Sequence, residues 1–348
     1  MDAHRYEIRA ALVSDADELF ALAEHLNSVN LPHDRDEIVE ILTASQRSFD
    51  GTIEDPRKRQ YVFLLRDLER GAAVGTSMIL AQLGTRDSPY IFFDVRREER
   101  YSATLDRHFV HPVLSIGYSF HGPTEIGGLV VDPTYRRAPE RLGMLISYVR
   151  FMFIALHREG FQNRVLAELM PPLAEDRTSH LWEAVGRKFT AMSYADADRL
   201  SKKNKEFIRG LFPNGDIYAS LLPPEAQSVI GEVGPQTRGV AKLLTRIGFR
   251  YADRVDPFDG GPHFIAPTDE IELVQRTRRG QAVPREGSAL PDRRCLVATF
   301  GPSAPYFHAV SARVDLGSEP GHEIGVDASA LAHLGIEAGA IVAVLPLY

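Results

Sequence analysis

The chain has a single cysteine, Cys295, and a single tryptophan, Trp182, in 348 residues. One thiol excludes a disulfide framework within the chain, and a reducing cytoplasm is the expected setting. Cys295 lies in the apolar run Cys-Leu-Val-Ala and reads as a small buried residue rather than a nucleophile. Positive charge is in deficit: 40 Lys and Arg face 47 Asp and Glu, a net charge of −7. That balance argues against nucleic acid or an acidic membrane surface as a partner. No apolar run is long enough to cross a bilayer, since the most apolar helical stretch carries Arg150 and His157. Residues Asp2 to Arg9 are charged, unlike a signal peptide. The histidines show no His-Glu-x-x-His or similar spacing, so no metal site is expected. What remains is an ordinary globular composition, 44% apolar and 25% charged, with length for a sizeable core and two domains.

One stretch, Glu125 to Gly160, organises the rest. Ile126 to Val131 is a short apolar run, rich in β-branched residues, that reads as a buried strand; Asp132 and Pro133 stop it, because proline lacks the ladder N–H. Pro139 and Glu140 suit the first turn of a helix, and Leu142, Leu145, Ile146, Val149, Phe153 and Leu156 recur at helical spacing, with Gly160 as a stop. A strand followed by a basic turn and a helix N-terminus suits an anion, because the first helical N–H groups lack internal partners and the dipole favours negative charge. Arg136 and Arg137 would add forked donors. An ordinary strand–helix turn with solvated arginines fits these residues equally well.

Before this stretch, Tyr6 to Ala11 reads as a strand. Ser14 reads as the cap of a helix with Leu19, Leu22, Ala23 and Leu26 on its apolar face. Arg35 to Ser48 reads as a second helix, and Tyr61 to Arg66 pairs with Ala73 to Ala81 as a hairpin. Thr85 to Pro123 reads as a long irregular segment, either a lid or a solvated insertion, carrying His108, His111 and His121. Beyond it, Arg164 to Met170 reads as a strand holding Glu168, and a carboxylate among apolar neighbours is uncommon unless paired or functional. Two copies of a helix–Gly–Phe–strand layout follow, at Ser179 to Phe189 and Val240 to Val255. Asp256 to Pro262 is a tight turn. Arg276 to Pro291 is unpatterned and reads as a linker before strand-like runs from Arg294 to Tyr348.

The strand, basic turn and helix resemble the acyl-CoA loop of the GNAT superfamily of N-acyltransferases, and the element order β-α-α-β-β leading into them is similar to that superfamily's. Gly143 is kept, whereas Arg141 stands near the place of the loop's first glycine. More specifically, Gln46 to Gly51, the run YVFLL, Arg150 to Ala155, Leu221 to Val233 and Gly248 to Pro262 resemble the arginine N-succinyltransferase family in order and spacing. The resemblance implies an α/β fold with a GNAT-like mixed sheet flanked by helices and a small β-rich C-terminal appendage. It implies an acyltransferase domain over 1–275, a linker over 276–293 and a last domain over 294–348. It implies transfer of a succinyl group from succinyl-CoA to the α-amine of arginine in the cytoplasm, by an enzyme that works alone or as a homo- or hetero-oligomer. Cofactor contacts would fall on Leu129, Val130, Val131, Arg136, Arg137 and Gly143. The family's proton-transferring histidine corresponds to Gly234, which has no side chain.

Acyl transfer to an amine needs a base for the amine, a donor for the oxyanion and a proton for the leaving thiolate. Glu168 is the first candidate for the base, followed by His180 and His121, with Glu232 behind them. Asp256 and Asp259 are candidates to hold a guanidinium, and Arg137 or Lys205 to hold the succinyl carboxylate. The helical tyrosine that often serves as thiolate acid in the superfamily corresponds to Trp182 or Leu244; Tyr194, Tyr218 and Tyr251 are substitutes. Two other readings stay open: a catalytically silent CoA-binding subunit or regulator, and an acyltransferase for a different amine.

Overall fold

The computed structural model of the chain describes residues 4–25, 31–85, 88–317 and 323–347. Leu26, expected on a helix face, lies outside them. The strands run in the order β1 Tyr6–Ala10, β2 Gln60–Asp67, β3 Ala72–Leu80, β4 Tyr90–Ser102, β5 Arg107–Ser119, β6 Thr124–Val131, β7 Arg164–Glu168, β8 Ile217–Tyr218, β9 Arg250–Val255, β10 Pro262–Pro267, β11 Arg278–Arg285, β12 Arg294–Phe300, β13 Phe307–Asp315, β14 Glu323–Asp327 and β15 Ile341–Pro346. Three helices carry labels here: α1 Ala16–Ala23, α2 Arg35–Phe49 and α3 Leu142–Leu156. The chain divides into two compact units. The first comprises Met1–Ala81, Ile126–Gln162 and Thr268–Tyr348, the second Gln82–Glu125 and Asn163–Pro267.

In the first unit β1, β2, β3 and β6 are neighbours, with β2 and β3 as the expected hairpin. Leu19, Leu22 and Ala23 of α1 and Ile38 and Leu42 of α2 pack on Val62, Leu64, Met78 and Val130. Asp34 caps α2, its side chain accepting from the N–H groups of Asp36 and Glu37. Asp15, not Ser14, stands at the cap of α1, because a 3-10 turn over Val13–Asp15 precedes the helix. Helix α3 is apolar nearly all round and buries Leu145, Ile146, Val149, Phe151, Met152 and Ile154, each contributing roughly 1.5–3 kcal/mol. It starts at Leu142 rather than Pro139, because Arg141 adopts a left-handed conformation (φ 56°). It ends at Leu156, and Gly160 closes a following 3-10 turn instead.

Residues 276–293, which the sequence presents as an unpatterned linker, contain β11. That strand pairs parallel with β14 and antiparallel with β15. With β12 joined to both β13 and β15, and β14 to β13, the five C-terminal strands form a closed ring of pairings. Cys295, Val297, Val310, Val314, Ile324, Val326 and Val342 fill its core, with Leu331 of the helix Ala328–Leu334. β13 also pairs with β1.

The sheet of the second unit has the order β7-β10-β9-β4-β5-β8. Most of the segment expected to be irregular, Tyr90 to Ser119, is regular strand. It holds the β4–β5 hairpin, paired from Tyr90↔Ser119 to Ser102↔Arg107. The layout expected at Ser179 to Phe189 is also different. Two short helices, His180–Ala184 and Gly186–Thr190, are followed by a third, Tyr194–Lys203, and no strand. The second copy holds, with the helix Arg238–Arg246 leading into β9. Trp182 is wholly buried, stacks on Phe258 at 4.9 Å and donates its indole N–H to the Met192 carbonyl. Among the described residues no helix is long and apolar enough to cross a membrane.

Candidate functional site

The first unit carries the residues expected at the cofactor. β6 is a glycine-interrupted strand: Gly128 sits at φ +55°, and a Cβ there would meet Met78 at 2.9 Å. Val130 and Val131 are buried and Leu129 is half-buried. On the neighbouring β3, Gly75 allows the Val130 carbonyl to approach; a Cβ at that position would stand 2.9 Å from its oxygen. After β6 the chain makes a 3-10 turn, Pro133–Tyr135, and delivers Arg136, Arg137 and Arg141 to the surface just ahead of α3. Arg136 donates to the Val131 carbonyl at 3.2 Å. No side chain caps α3, so its first N–H groups and the dipole face outward. A Cβ at Gly143 would touch only Val131, at 3.9 Å, and the space over the helix start is open. An uncapped helix start beside three exposed arginines is an arrangement that suits an anion.

The second unit carries the acid–base residues. β10 runs antiparallel to β7, and the register sets His263 directly opposite Glu168. His263 is fully buried; its Nδ1 lies 2.6 Å from the Tyr90 hydroxyl and its Nε2 lies 3.5 Å from Glu168 Oε1. Burial, with Arg254 and Lys205 nearby, pushes the His263 imidazolium down to about 3, so the ring is neutral near pH 7. Glu168 lies at the end of β7, and 33% of its side chain is accessible. Burial first, then Glu125, Asp256 and Asp259, hold its carboxyl well above the ordinary range, against a smaller opposing pull from Lys205. Asp256 is raised to about 6 by burial and by Asp198, against the Phe258 N–H and Lys205. Asp259 is raised by burial and by Asp256. The turn between β9 and β10 holds these aspartates through its backbone: Asp256 accepts from the Phe258 N–H at 2.6 Å and Asp259 from the Gly261 N–H at 2.7 Å. One side-chain oxygen or nitrogen from each of Glu168, Asp256 and His263 lies within 4.8 Å of the others. In the first unit Glu7, His308 and His333 are similarly close, and there both imidazoles already bond the Glu7 carboxylate at 2.9 and 3.0 Å.

Of the residues singled out in the sequence, Glu168, Asp256 and Asp259 lie close together, whereas His180 and His121 do not join them. His180 opens a short helix, and His121 is exposed in the turn after β5, where its backbone N–H donates to Ser119. Among the described residues, no hydrogen bond or ion pair joins either to Glu168. Glu232 is exposed. Gly234 is buried, and a Cβ there would collide with the carbonyl oxygens of Pro171 and Met170 at 2.6 and 2.7 Å. Of the tyrosines, Tyr194 lies near Asp259, Asp198 and Asp256, while the hydroxyls of Tyr218 and Tyr251 lie against Glu98 and Gly231. Sequence reasoning misses His263 and Tyr90. The available signal is the strand–turn–strand pattern from Arg250 to Pro267, whose register against β7 pairs His263 with Glu168.

The family model described as arginine N-succinyltransferase beta subunit matches residues 6–273. An arginine N-succinyltransferase of Enterobacter sp. (strain 638) is 34% identical over 276 residues, covering 77% of each chain. One from Citrobacter koseri is 32% identical over 317 residues, covering 88% of this chain and 89% of its own. The solved structure of arginine/ornithine succinyltransferase subunit AI from Pseudomonas aeruginosa superposes with a TM-score of 0.82 at 28% identity, covering 99% of each chain.

Proposed function

The chain belongs to the arginine N-succinyltransferase family, and on that premise we propose that it moves a succinyl group from succinyl-CoA to the α-amine of arginine. The observation that carries the cationic substrate is the acidic cluster of the second unit. Partial burial and mutual repulsion, with Glu125 and Asp198 nearby, raise the pKa of Glu168, Asp256 and Asp259. A guanidinium and an ammonium relieve that repulsion, so a cationic amino acid is bound where a neutral one gains nothing. Asp256 and Asp259 pair the guanidinium. Glu168, an accessible carboxylate whose pKa is raised, takes a proton from the α-ammonium.

The chemistry then balances. The ammonium loses one proton to Glu168 and on to solvent, and the free amine attacks the thioester carbonyl. A β6 backbone N–H near Leu129 and Val130 is the candidate donor to the oxyanion. Collapse breaks the C–S bond, and the second amine proton ends on the CoA thiol. Arg136, Arg137 and the start of α3 at Gly143 hold the cofactor phosphates, with Leu129, Val130 and Val131 along its acyl end; Arg137 or Lys205 takes the succinyl carboxylate. The site of action is the cytoplasm, with assembly into a homo- or hetero-oligomer as an accompanying expectation.

The silent-subunit reading draws on Gly234 and on the altered cofactor loop with Arg141 near the first glycine's place; it is not favoured, because an accessible carboxylate of raised pKa remains to handle protons. The test is CoA release from succinyl-CoA and acetyl-CoA with arginine, ornithine, lysine or no amine, and mass analysis of the product. Succinylarginine above the no-amine control is the expected result. CoA binding without turnover on any amine would return the silent subunit, and turnover on another amine alone would return the third reading.

A further inference from the structure

A buried histidine in an active protein usually has both ring nitrogens satisfied. His263 does not: its side chain is wholly buried, and its Nε2 has no hydrogen-bond partner. That nitrogen lies 3.5 Å from Glu168 Oε1, across the β10–β7 pairing. The other nitrogen is committed to Tyr90 at 2.6 Å. Tyr90 keeps its proton, because burial raises its pKa far above neutrality, and the Arg254 guanidinium lies beside its oxygen. A guanidinium can only donate, so the phenol oxygen accepts from that side and its O–H is free to donate to Nδ1. With the phenol donating to Nδ1, the neutral ring carries its hydrogen on Nε2, on the side of the carboxylate. Catalytic contacts of this kind are often long before substrate binds and shorten in the complex.

We propose that Tyr90 and His263 are positioning residues for Glu168 that close into a hydrogen-bonded relay when substrate binds, taking the place of the histidine missing at Gly234, with His263 orienting the Glu168 carboxylate and stabilising its ionised form. The proposal rests on Glu168 being the base of the acyl transfer above. Two facts join in it. A side chain cannot be restored at Gly234 without displacing the Pro171 and Met170 carbonyls, and the one unpartnered buried imidazole nitrogen beside Glu168 belongs to a different strand. The relay itself exchanges no proton for good: Glu168 accepts one from the ammonium and releases it to solvent, while His263 and Tyr90 keep theirs.

The relay makes a claim about pH. Activity falls on the acid side as Glu168 becomes protonated. The groups that set that limb are Glu125, Asp256, Asp259, Asp198, Lys205, Arg254, Tyr90 and His263. A donor aimed at a carboxylate favours its charged form, so deleting the donor raises the pKa. The test is kcat/KM against pH with succinyl-CoA and arginine for the wild-type protein, His263→Leu, His263→Gln and Tyr90→Phe, with thermal melts beside them. His263→Leu should move the acid limb up by roughly one pH unit, with the rate recovering as pH rises. His263→Gln, whose amide N–H reaches about as far, should restore most of the position. Tyr90→Phe, which removes one oxygen and leaves the packing, should move the limb the same way by less. A wild-type limb unmoved in all three variants overturns the relay, whatever the melts show. Loss of wild-type activity in chelator with recovery on added zinc also overturns it, since Glu168, Asp256 and His263 would then be metal ligands. No turnover by the wild-type protein on any amine overturns the acyl-transfer reading and the relay with it.

Discussion

The carbonyl oxygen of Pro171 occupies the space that a side chain on Gly234 would need. A Cβ there would stand 2.6 Å from it and 2.7 Å from the Met170 oxygen, while the Gly234 N–H donates to that same Met170 oxygen at 2.9 Å. The segment is tied to the end of β7 by its backbone, and Thr237 adds a hydroxyl bond to Met170 at 2.9 Å. Glycine at 234 is therefore a packing requirement in this chain.

Gly234→Ala should be destabilising by about 1–3 kcal/mol, the usual cost of forcing atoms into a filled site. Gly234→His should cost more and should not raise the rate of succinyl transfer. Chemical denaturation with CoA-release kinetics reads both effects. A stable, faster Gly234→His variant would contradict this account.

Binding of arginine should release protons. Asp256 is raised to about 6, and Glu168 and Asp259 are raised as well. Groups whose folded pKa lies above the unfolded value favour the folded protein at low pH, and that contribution fades as pH climbs from about 4 through 6. A cationic ligand needs the ionised forms, so arginine affinity should rise over the same window. Calorimetry at pH 6 in buffers of different ionisation enthalpy should show net proton release, and Asp256→Asn should reduce it.

Glu7 holds the first unit in the opposite sense. Burial pulls its carboxyl up, but hydrogen bonds and charge from His308 and His333 outweigh this and hold it down at about 2. A depressed acid contributes stability above its unfolded pKa near 4 and loses it as pH falls toward 2. Glu7→Gln should cost on the order of 2 kcal/mol at pH 7 and progressively less below pH 4. Urea melts at pH 3 and pH 7 read the difference.

Cys295 should resist thiol reagents. It has no exposed surface, and burial lifts its thiol to about 11 against the pull of Arg293 and Arg276. Only the thiolate reacts, so disulfide reagents should label it in denaturant and leave the native protein unlabelled.

Much of the first unit was legible because its elements follow simple periods. The β2–β3 hairpin, α2 and the run of β6 into α3 appear where alternation and helical spacing put them. The start of α3 was not legible, since Pro139 and Glu140 suit a first turn and only the left-handed backbone at Arg141 defers it. The β4–β5 hairpin was hidden for another reason. Its outer half is exposed on both faces through Arg97, Glu99 and Arg100, so no alternation marks it. Pro112 and Gly117 punctuate β5 as a loop would be punctuated, yet Pro112 sits next to the short β8 pairing at Val113 and Leu114, where a missing N–H is tolerated. β11 escaped because Arg, Gly and Pro dominate it. At the site, Glu168 could be picked out as an acid in an apolar strand. His263 was missed because the strand–turn–strand pattern around it places the residue in β10 but leaves its register against β7, and so its partner, unspecified.

The most direct measurement is the rate of succinylarginine formation from succinyl-CoA and arginine by the wild-type protein and by Glu168→Gln, across pH 5 to 9. The account predicts product from the wild-type protein, with an acid limb, and a loss of about 10²-fold or more in kcat for the variant, with the limb gone. Equal rates and profiles for the two proteins would contradict it.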